Sequence, residues 1–429
     1  MTSWPSDAPS SLWRQLSAES FDAEPLTREI ACDVAVVGGG ISGLATAIEL
    51  ARRGKSVALL EAARIGAGAS GRANGQVIPA LTRHGPNAIR ALWPGESGER
   101  FLRMVAGGAD VLFGLVERYG IDCDARRTGW LQPAHTPGRA KRVAALASQW
   151  AAVGAPTSAL SAAEMRQHTG AEGYQGGWRH AGGGHINPYA FTLGLARGAS
   201  DEGVAVFEHS PALSLRRDTF GWRVQTPSGT VRAAHVVLAT AAHTGTLWPE
   251  LRRSIVPVTS YQAATEPLGA AAEAILPFDE ALSDTRMDLR YLRKDRDGRI
   301  VSGGALTIQA GAERRLPQLV QSRLQAMFPA LPSGPMPHVW GGRIAMTVDR
   351  LPRLHRRPDG LSAWIGCNGR GLALCCAMAA VMADAVEGRP DAELALPPSA
   401  PRAVPLHPLA VRSARLILPW YRLKDRREI

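Results

Sequence analysis

Three clusters of glycine and polar residues have the types and spacing needed to hold a dinucleotide and stabilise charge on it. The first is Gly38, Gly40 and Gly43, a G-x-G-x-x-G turn enclosing Ile41 and Ser42, with Glu61 and Ala62 further on. The first glycine permits a tight bend, the second lets backbone N–H groups reach a pyrophosphate, and the third lets a helix pack on its strand. An acid about twenty residues later accepts both ribose hydroxyls. The second cluster is Gly68, Ala69, Ser70, Gly71 and Arg72, continuing to Asn74, Gly75 and Gln76. Its hydroxyl and guanidinium donors suit phosphate or carbonyl oxygens. The third is Cys367, Asn368, Gly369, Arg370 and Gly371, running into Leu372. Backbone N–H groups there, at the start of a helix, repeat the logic of the first turn. Arg370, between two glycines, reads as functional.

These clusters need strands and helices to aim them. Residues 34–37 form a short apolar strand, a helix runs from Ile41 to about Arg53, and the strand 56–60 delivers Glu61. The buried strand 234–240 ends in Ala239, Thr240 and Ala241, small residues that let backbone approach a ligand. Residues 363–366 and the helix 372–386 repeat the logic of the first motif. Residues 86–167 read as helical, with Phe101, Met104, Val105, Val111, Leu112 and Leu115 at helical spacing. Asn187 and Pro188 read as the cap and first residue of a helix to about Ser200. A meander follows over 204–207, 212–215, 222–225 and 230–232, and antiparallel strands over 254–265, 288–294 and 299–303, the last two joined at Asp297-Gly298.

With 429 residues, 45% hydrophobic and 20% charged, the chain is an ordinary globular protein of two domains. The formal charge is +11, but the lysines are only Lys55, Lys141, Lys294 and Lys424, and the arginines are scattered. That pattern is a compositional bias whose use is attraction of anionic substrates, and nucleic acid is not expected as a partner. Cys32, Cys123, Cys367, Cys375 and Cys376 have neither disulfide-framework nor zinc spacing, and no metal site is expected. Residues 1–7 lack the basic start of a signal peptide, and the apolar run 372–386 is too short to span a bilayer and carries Asp384. A cytoplasmic protein is expected. The tail mixes Leu416, Ile417, Leu418, Trp420, Tyr421 and Leu423 with arginines. Pro419 is expected to interrupt its helix, so the tail should pack on the body and membrane association is disfavoured.

Together these motifs resemble the FAD-dependent oxidoreductases of the D-amino-acid oxidase superfamily, closest to the gamma-glutamylputrescine oxidoreductase group. The resemblance spans nearly the whole chain. It also rests on Ser11-Leu12-Trp13, Ala264-Thr265-Glu266-Pro267-Leu268, and Trp340-Gly341-Gly342 with Thr347 and Asp349. It implies an α/β protein (α+β overall): a Rossmann-type FAD-binding domain (30–85, 181–245 and 340–390) with an inserted antiparallel-sheet substrate domain (86–180 and 246–339). An arm (1–29) and a tail (391–429) flank them. It implies FAD held by Gly38, Gly40, Ile41, Ser42, Gly43, Glu61, Ala62, Gly68, Ala69, Ser70, Arg72, Asn74, Gly75, Gln76, Ala212, Thr240, Ala241, Gly342, Asn368, Gly369, Arg370, Gly371 and Leu372. Arg370, Gly371, His185 and Tyr261 are the catalytic candidates, and Arg290, Tyr291, Trp340 and Arg343 the further substrate contacts.

Departures from relatives narrow this picture. Ala373 stands where sarcosine oxidases place a carboxylate-gripping lysine, so the resemblance implies an amine whose acid group, if any, is remote. Gly342 falls near their flavin-linking cysteine and no histidine lies in 66–76, so noncovalent FAD is implied. Their oxygen-activating lysine would fall near Ile300 or Val301, leaving oxygen or another acceptor as the oxidant. The loop reads Arg72-Ala73-Asn74-Gly75-Gln76 where the closer group has Arg-Asn-Gly-Gly-Gln. Two other readings stand beside amine oxidation: a flavin dehydrogenase of a 2-hydroxy acid, and a flavin-binding partner subunit without turnover.

Overall fold

The computed structural model describes residues 11–428, so residues 1–7, read above for a signal peptide, lie outside the described residues. Two eight-stranded sheets and a two-stranded ribbon organise the described chain. In the first sheet the strand Glu29–Val37 lies between Val57–Leu60 and Thr230–Leu238, parallel to both. Ala205–Phe207 and Leu361–Ile365 extend it in parallel, and Arg353–Arg356 closes one edge antiparallel. Unbroken runs such as Val34-Ala35-Val36-Val37 are what a parallel sheet buried on both faces demands. Helices Ile41–Arg52, Pro188–Asp201 and Gly371–Val386 share its largest core. Alanines at 373, 377, 379 and 383 of the last helix are all buried, allowing close helix approach.

The second sheet runs in the order His338–Met346, Val256–Ala264, Ile300–Gly304, Tyr291–Lys294, Ala281–Ser283, Trp130–Pro133, Gly177–His180, Thr157–Leu160. The helix Ala312–Met327 covers one face through Leu316, Val320 and Leu324. On the other face Ala264, Val301 and Trp340 pack against Leu12 and Trp13 of the arm.

Sheet membership divides the chain differently from the sequence-based boundaries. Residues 340–346 pair with Val256–Ala264 in the second sheet, not the first. Gly184–His185 pairs with Gln76–Val77 in the ribbon. Of 86–180, the helices contribute Phe101, Leu112 and Phe113 to the core of the first body, while three strands join the second sheet. Local pattern marks a strand, but its partner is chosen by segments far away in sequence. The meander strand lies at Ser214–Arg217 rather than 212–215. The strand read from Asp288 begins at Tyr291, because Asp284 holds the Arg290 amide and Asp425 holds those of Met287 and Asp288 in a loop.

Helix His407–Ser413, the 3-10 turn Ala414–Ile417 and helix Leu418–Arg427 follow one another without a break. Pro419 sits in the first turn of the last helix, where its missing N–H costs nothing, and the α-helix is interrupted just before it by the 3-10 turn. Leu418 is buried, Arg422 pairs with Asp288, and Arg139 pairs with Glu428. Among the described residues no helix is long and apolar enough to cross a membrane.

Candidate active site

The first glycine turn is shaped by backbone contact. Gly38 has φ of 113°, and a Cβ there would stand 2.8 Å from the Ala239 carbonyl oxygen. A Cβ on Gly43 would overlap the Gly38 carbonyl, so only glycine lets helix and strand meet here. The helix N-terminus at Gly40 has no side-chain cap of its own; the Ser70 Oγ accepts from the Ile41 N–H at 3.0 Å. Glu61 accepts from the Gly39 N–H at 2.8 Å through Oε2 and from the Ala63 N–H at 2.9 Å through Oε1, with Ala62 between. Burial pushes its carboxyl pKa up against the pull of those amides. Ser42 points elsewhere: its Oγ accepts from Trp364 Nε1 at 2.7 Å, tying helix to sheet. Ala212 packs against the core of the first sheet. Thr240 bonds Thr244 through its hydroxyl, and Ala241 is exposed with φ of 45°.

Positive charge without acid collects beside this turn. Arg72 donates to the carbonyls of Ala67 at 2.9 Å and Gly341 at 3.2 Å, and no described carboxylate lies within ion-pair distance. Burial lowers its pKa. A Cβ on Gly342 would stand 3.4 Å from the Arg72 Cβ. His243 is held below the ordinary imidazole range by burial, then by Arg343 and Arg72. Gly68, Ala69, Arg343 and Gly369 are exposed, so the backbone around these groups is open to solvent. Arg72 and Arg343 supply the positive charge here, beside a helix start whose Ile41 N–H is held by Ser70, and together they favour an anion.

The helix Gly371–Val386 also starts without a side-chain cap. Arg370 lies over the Trp130 ring at 4.9 Å and donates to the Leu81 carbonyl at 2.6 Å. Burial alone pushes its pKa down to about 10. Asn368, at φ of 53°, accepts from the Thr347 N–H at 2.9 Å and donates to the Gly366 carbonyl at 2.6 Å. It latches the turn, in which Gly369 is exposed, Gly371 half-buried and Leu372 buried.

A neutral polar wall joins the second cluster to the second sheet. Asn74 Nδ2 donates to Gln262 Oε1 at 3.0 Å, Gln262 Nε2 donates to the Tyr291 hydroxyl at 2.9 Å, and that hydroxyl donates to the Tyr261 carbonyl at 3.1 Å. Gln76 accepts from Ser283 Oγ at 2.7 Å and donates to the Leu282 carbonyl at 2.9 Å. Asn74 Oδ1 is buried without a hydrogen-bond partner, an acceptor that a bound ring N–H would satisfy. Gly75, at φ of 95°, lies so close to the Ile186 carbonyl that no Cβ fits.

Two catalytic candidates sit apart from this wall. His185 is buried, with Nε2 3.0 Å from the Asp279 carbonyl and Nδ1 3.1 Å from Arg293, so both ring nitrogens are engaged. Tyr261 alternates with Gln262 on its strand and packs with the core beneath Ala312–Met327, on the face away from Asn74. Trp340 donates to the Arg72 carbonyl at 2.9 Å and meets Trp13 edge-on, so it supports the loop from below.

Arg293 has no part in the sequence reading, yet it is fully buried and central. It donates to the carbonyls of Asn74 at 2.8 Å, Ile186 at 2.8 Å and Lys294 at 2.9 Å, and stacks 4.2 Å from Trp13. Burial pushes its pKa down to about 10. The only sequence signal was a charged residue at an inward-facing strand position beside Leu292. Gln262 and Ser283 were missed for the same reason.

Residues 33–385 match the model of the DAO family, described as FAD dependent oxidoreductase. A protein named probable oxidoreductase OrdL in Rhizobium meliloti is 30% identical, over 92% of this chain and 92% of its own length. Gamma-glutamylputrescine oxidoreductase of Escherichia coli is 30% identical, over 86% of each chain. The crystal structure of glycine oxidase from Geobacillus kaustophilus shares the fold, with a TM-score of 0.70 at 24% identity, covering 87% of this chain and 99% of that one.

Proposed function

Because the chain belongs to the DAO family of FAD-dependent oxidoreductases and FAD is its cofactor, we propose that it oxidises an amine C–N bond. Hydride leaves the carbon next to nitrogen, the nitrogen lone pair closes the imine, and water hydrolyses the imine to an aldehyde and an amine or ammonia. When bound, FAD supplies the two-electron acceptor for that hydride. Glu61 takes the ribose hydroxyls, and the amides around Gly40, with Ser70 and Arg72, take the pyrophosphate. The uncapped N-terminus of the helix starting at Gly371 would stabilise negative charge on the flavin ring when FAD is bound. FAD is held noncovalently: Cys367, packed beneath Gly371, has its thiol pKa raised by burial, which disfavours the nucleophilic thiolate.

The observation that carries this reading is the wall Asn74–Gln262–Tyr291, which offers neutral donors and acceptors but no carboxylate or available imidazole. Such a wall orients an N–H without removing a proton, so the amine must arrive neutral. A 2-hydroxy acid would need a base for its hydroxyl proton, and both ring nitrogens of His185 are engaged. Ala373 is buried and uncharged, offering no cation to a carboxylate beside the reacting carbon. The name of the Escherichia coli relative also supports an amine.

Anaerobic mixing with a panel of primary and secondary amines and 2-hydroxy acids, followed by flavin absorbance, tests the proposal. Bleaching by an amine is expected, at a rate that rises with pH as the bound amine loses its proton. Bleaching by hydroxy acids alone, or by none of the panel, would defeat it. Oxygen consumption after reduction separates an oxidase from an enzyme that uses another acceptor.

A further inference from the structure

We propose that the outer face of the C-terminal helical segment, residues 407–427, docks on an anionic lipid surface. The segment is helical throughout, with one 3-10 turn at Ala414–Ile417. Its inner face is committed to the body. Leu418 is buried, Tyr421 meets Arg83, Arg422 pairs with Asp288, and Asp425 accepts from the amides of Met287 and Asp288. The outer face is apolar and open. Leu409, Leu416, Trp420 and Leu423 recur seven, four and three residues apart, so they line one stripe, with Ile417 at its margin. Leu416 is 62% exposed and Trp420 48%.

Charge decides what covers this stripe. Arg412, Arg415, Lys424, Arg426 and Arg427 are exposed around it, and none of the four arginines lies within ion-pair distance of a described carboxylate. Lys424 instead lies over the Trp420 ring at 4.6 Å. No aspartate or glutamate occurs between positions 394 and 424. A second copy of the chain would set this basic margin against itself, and a polyanion such as nucleic acid would leave the leucines in water. A bilayer with acidic headgroups satisfies both halves: apolar side chains enter the acyl boundary while flanking cations meet phosphate. Because the inner face is already pinned, the helix need not fold on binding, which spares the ordering cost.

The test uses the full-length holoenzyme and vesicles of phosphatidylcholine with or without phosphatidylglycerol. Co-sedimentation is expected only with phosphatidylglycerol, and added salt should weaken it. Leu416→Asp with Trp420→Asp should weaken binding by about tenfold or more while melting temperature and flavin content stay unchanged. If that pair perturbs folding, the exposed set Arg412→Glu, Arg426→Glu and Arg427→Glu should abolish phosphatidylglycerol binding. Failure of the intact protein to sediment, or sedimentation insensitive to these substitutions, would overturn the proposal. So would a dimer, seen by light scattering, that the aspartate pair dissolves, since it would assign the face to a second copy.

Discussion

The glycine cradle proposed for the nucleotide and the polar wall proposed for the substrate are built by different means. The first is a contiguous stretch, Gly38 to Glu61, in which backbone amides and one carboxylate are the proposed binding groups. The second takes single side chains from distant positions, Asn74, Gln262, Ser283, Tyr291 and Arg293, and joins them by hydrogen bonds. A backbone cradle depends on whether a glycine can be there at all. A side-chain wall depends on the relative placement of two sheets, and should fail gradually.

Substitutions can break that contrast. The largest effect is expected from Gly43→Ala, whose new methyl meets the Gly38 carbonyl. It should cost at least the upper end of the about 1–3 kcal/mol typical of overpacking, and should eliminate FAD from the purified protein. Melting temperature and flavin-to-protein ratio check both. Arg293→Met should follow, at roughly 3 kcal/mol, because three carbonyls lose a charged donor. It should also loosen FAD, since the Asn74 backbone is no longer held. Normal stability and flavin content in this variant would mean that the two sheets set the loop without it.

Glu61→Ala should weaken FAD by about 1.5–3 kcal/mol, measured as apoprotein affinity, with turnover restored by excess cofactor. Tyr291→Phe sharpens the contrast from the other side. FAD content should be unchanged, while the reductive rate falls roughly tenfold, about 1.4 kcal/mol of lost positioning. Tyr261→Phe, on the opposite face of its strand, should change the rate little; equal losses in the two variants would mean that both tyrosines reach the substrate.

The smallest expected effect concerns pH. His180 is buried in the second sheet with neither ring nitrogen bonded, and burial pushes its pKa down to about 4. Between the ordinary imidazole value and about 4 the unfolded chain binds more protons, so stability should fall as pH drops through that window. The limit is about 1.4 kcal/mol per pH unit. His180→Phe should flatten this part of the melting profile.

Sequence alone determined the cradle. Its strand, turn, helix, strand and acid are neighbours in the chain, and each step follows from local rules: valines for a buried parallel strand, glycines where backbone meets backbone, a carboxylate at a strand end. The turn at Gly369–Gly371 was legible for the same reason. Sheet membership was not, because 340–346 reads equally well as a strand of either sheet until Val256–Ala264 is in place beside it. Only the tertiary structure decided that Tyr291 and not Tyr261 meets Gln262, since a strand's alternation says two faces exist but not which one meets the flavin loop. The same holds for Arg293: its role arises from carbonyls of Asn74 and Ile186 that lie hundreds and a hundred-odd positions away, brought to one guanidinium only by the packing of one sheet on the other. The tail shows the limit at its simplest, because the cost of a proline depends on where in a helix it falls and vanishes in the first turn, and the chain had to be folded to show which turn Pro419 occupies.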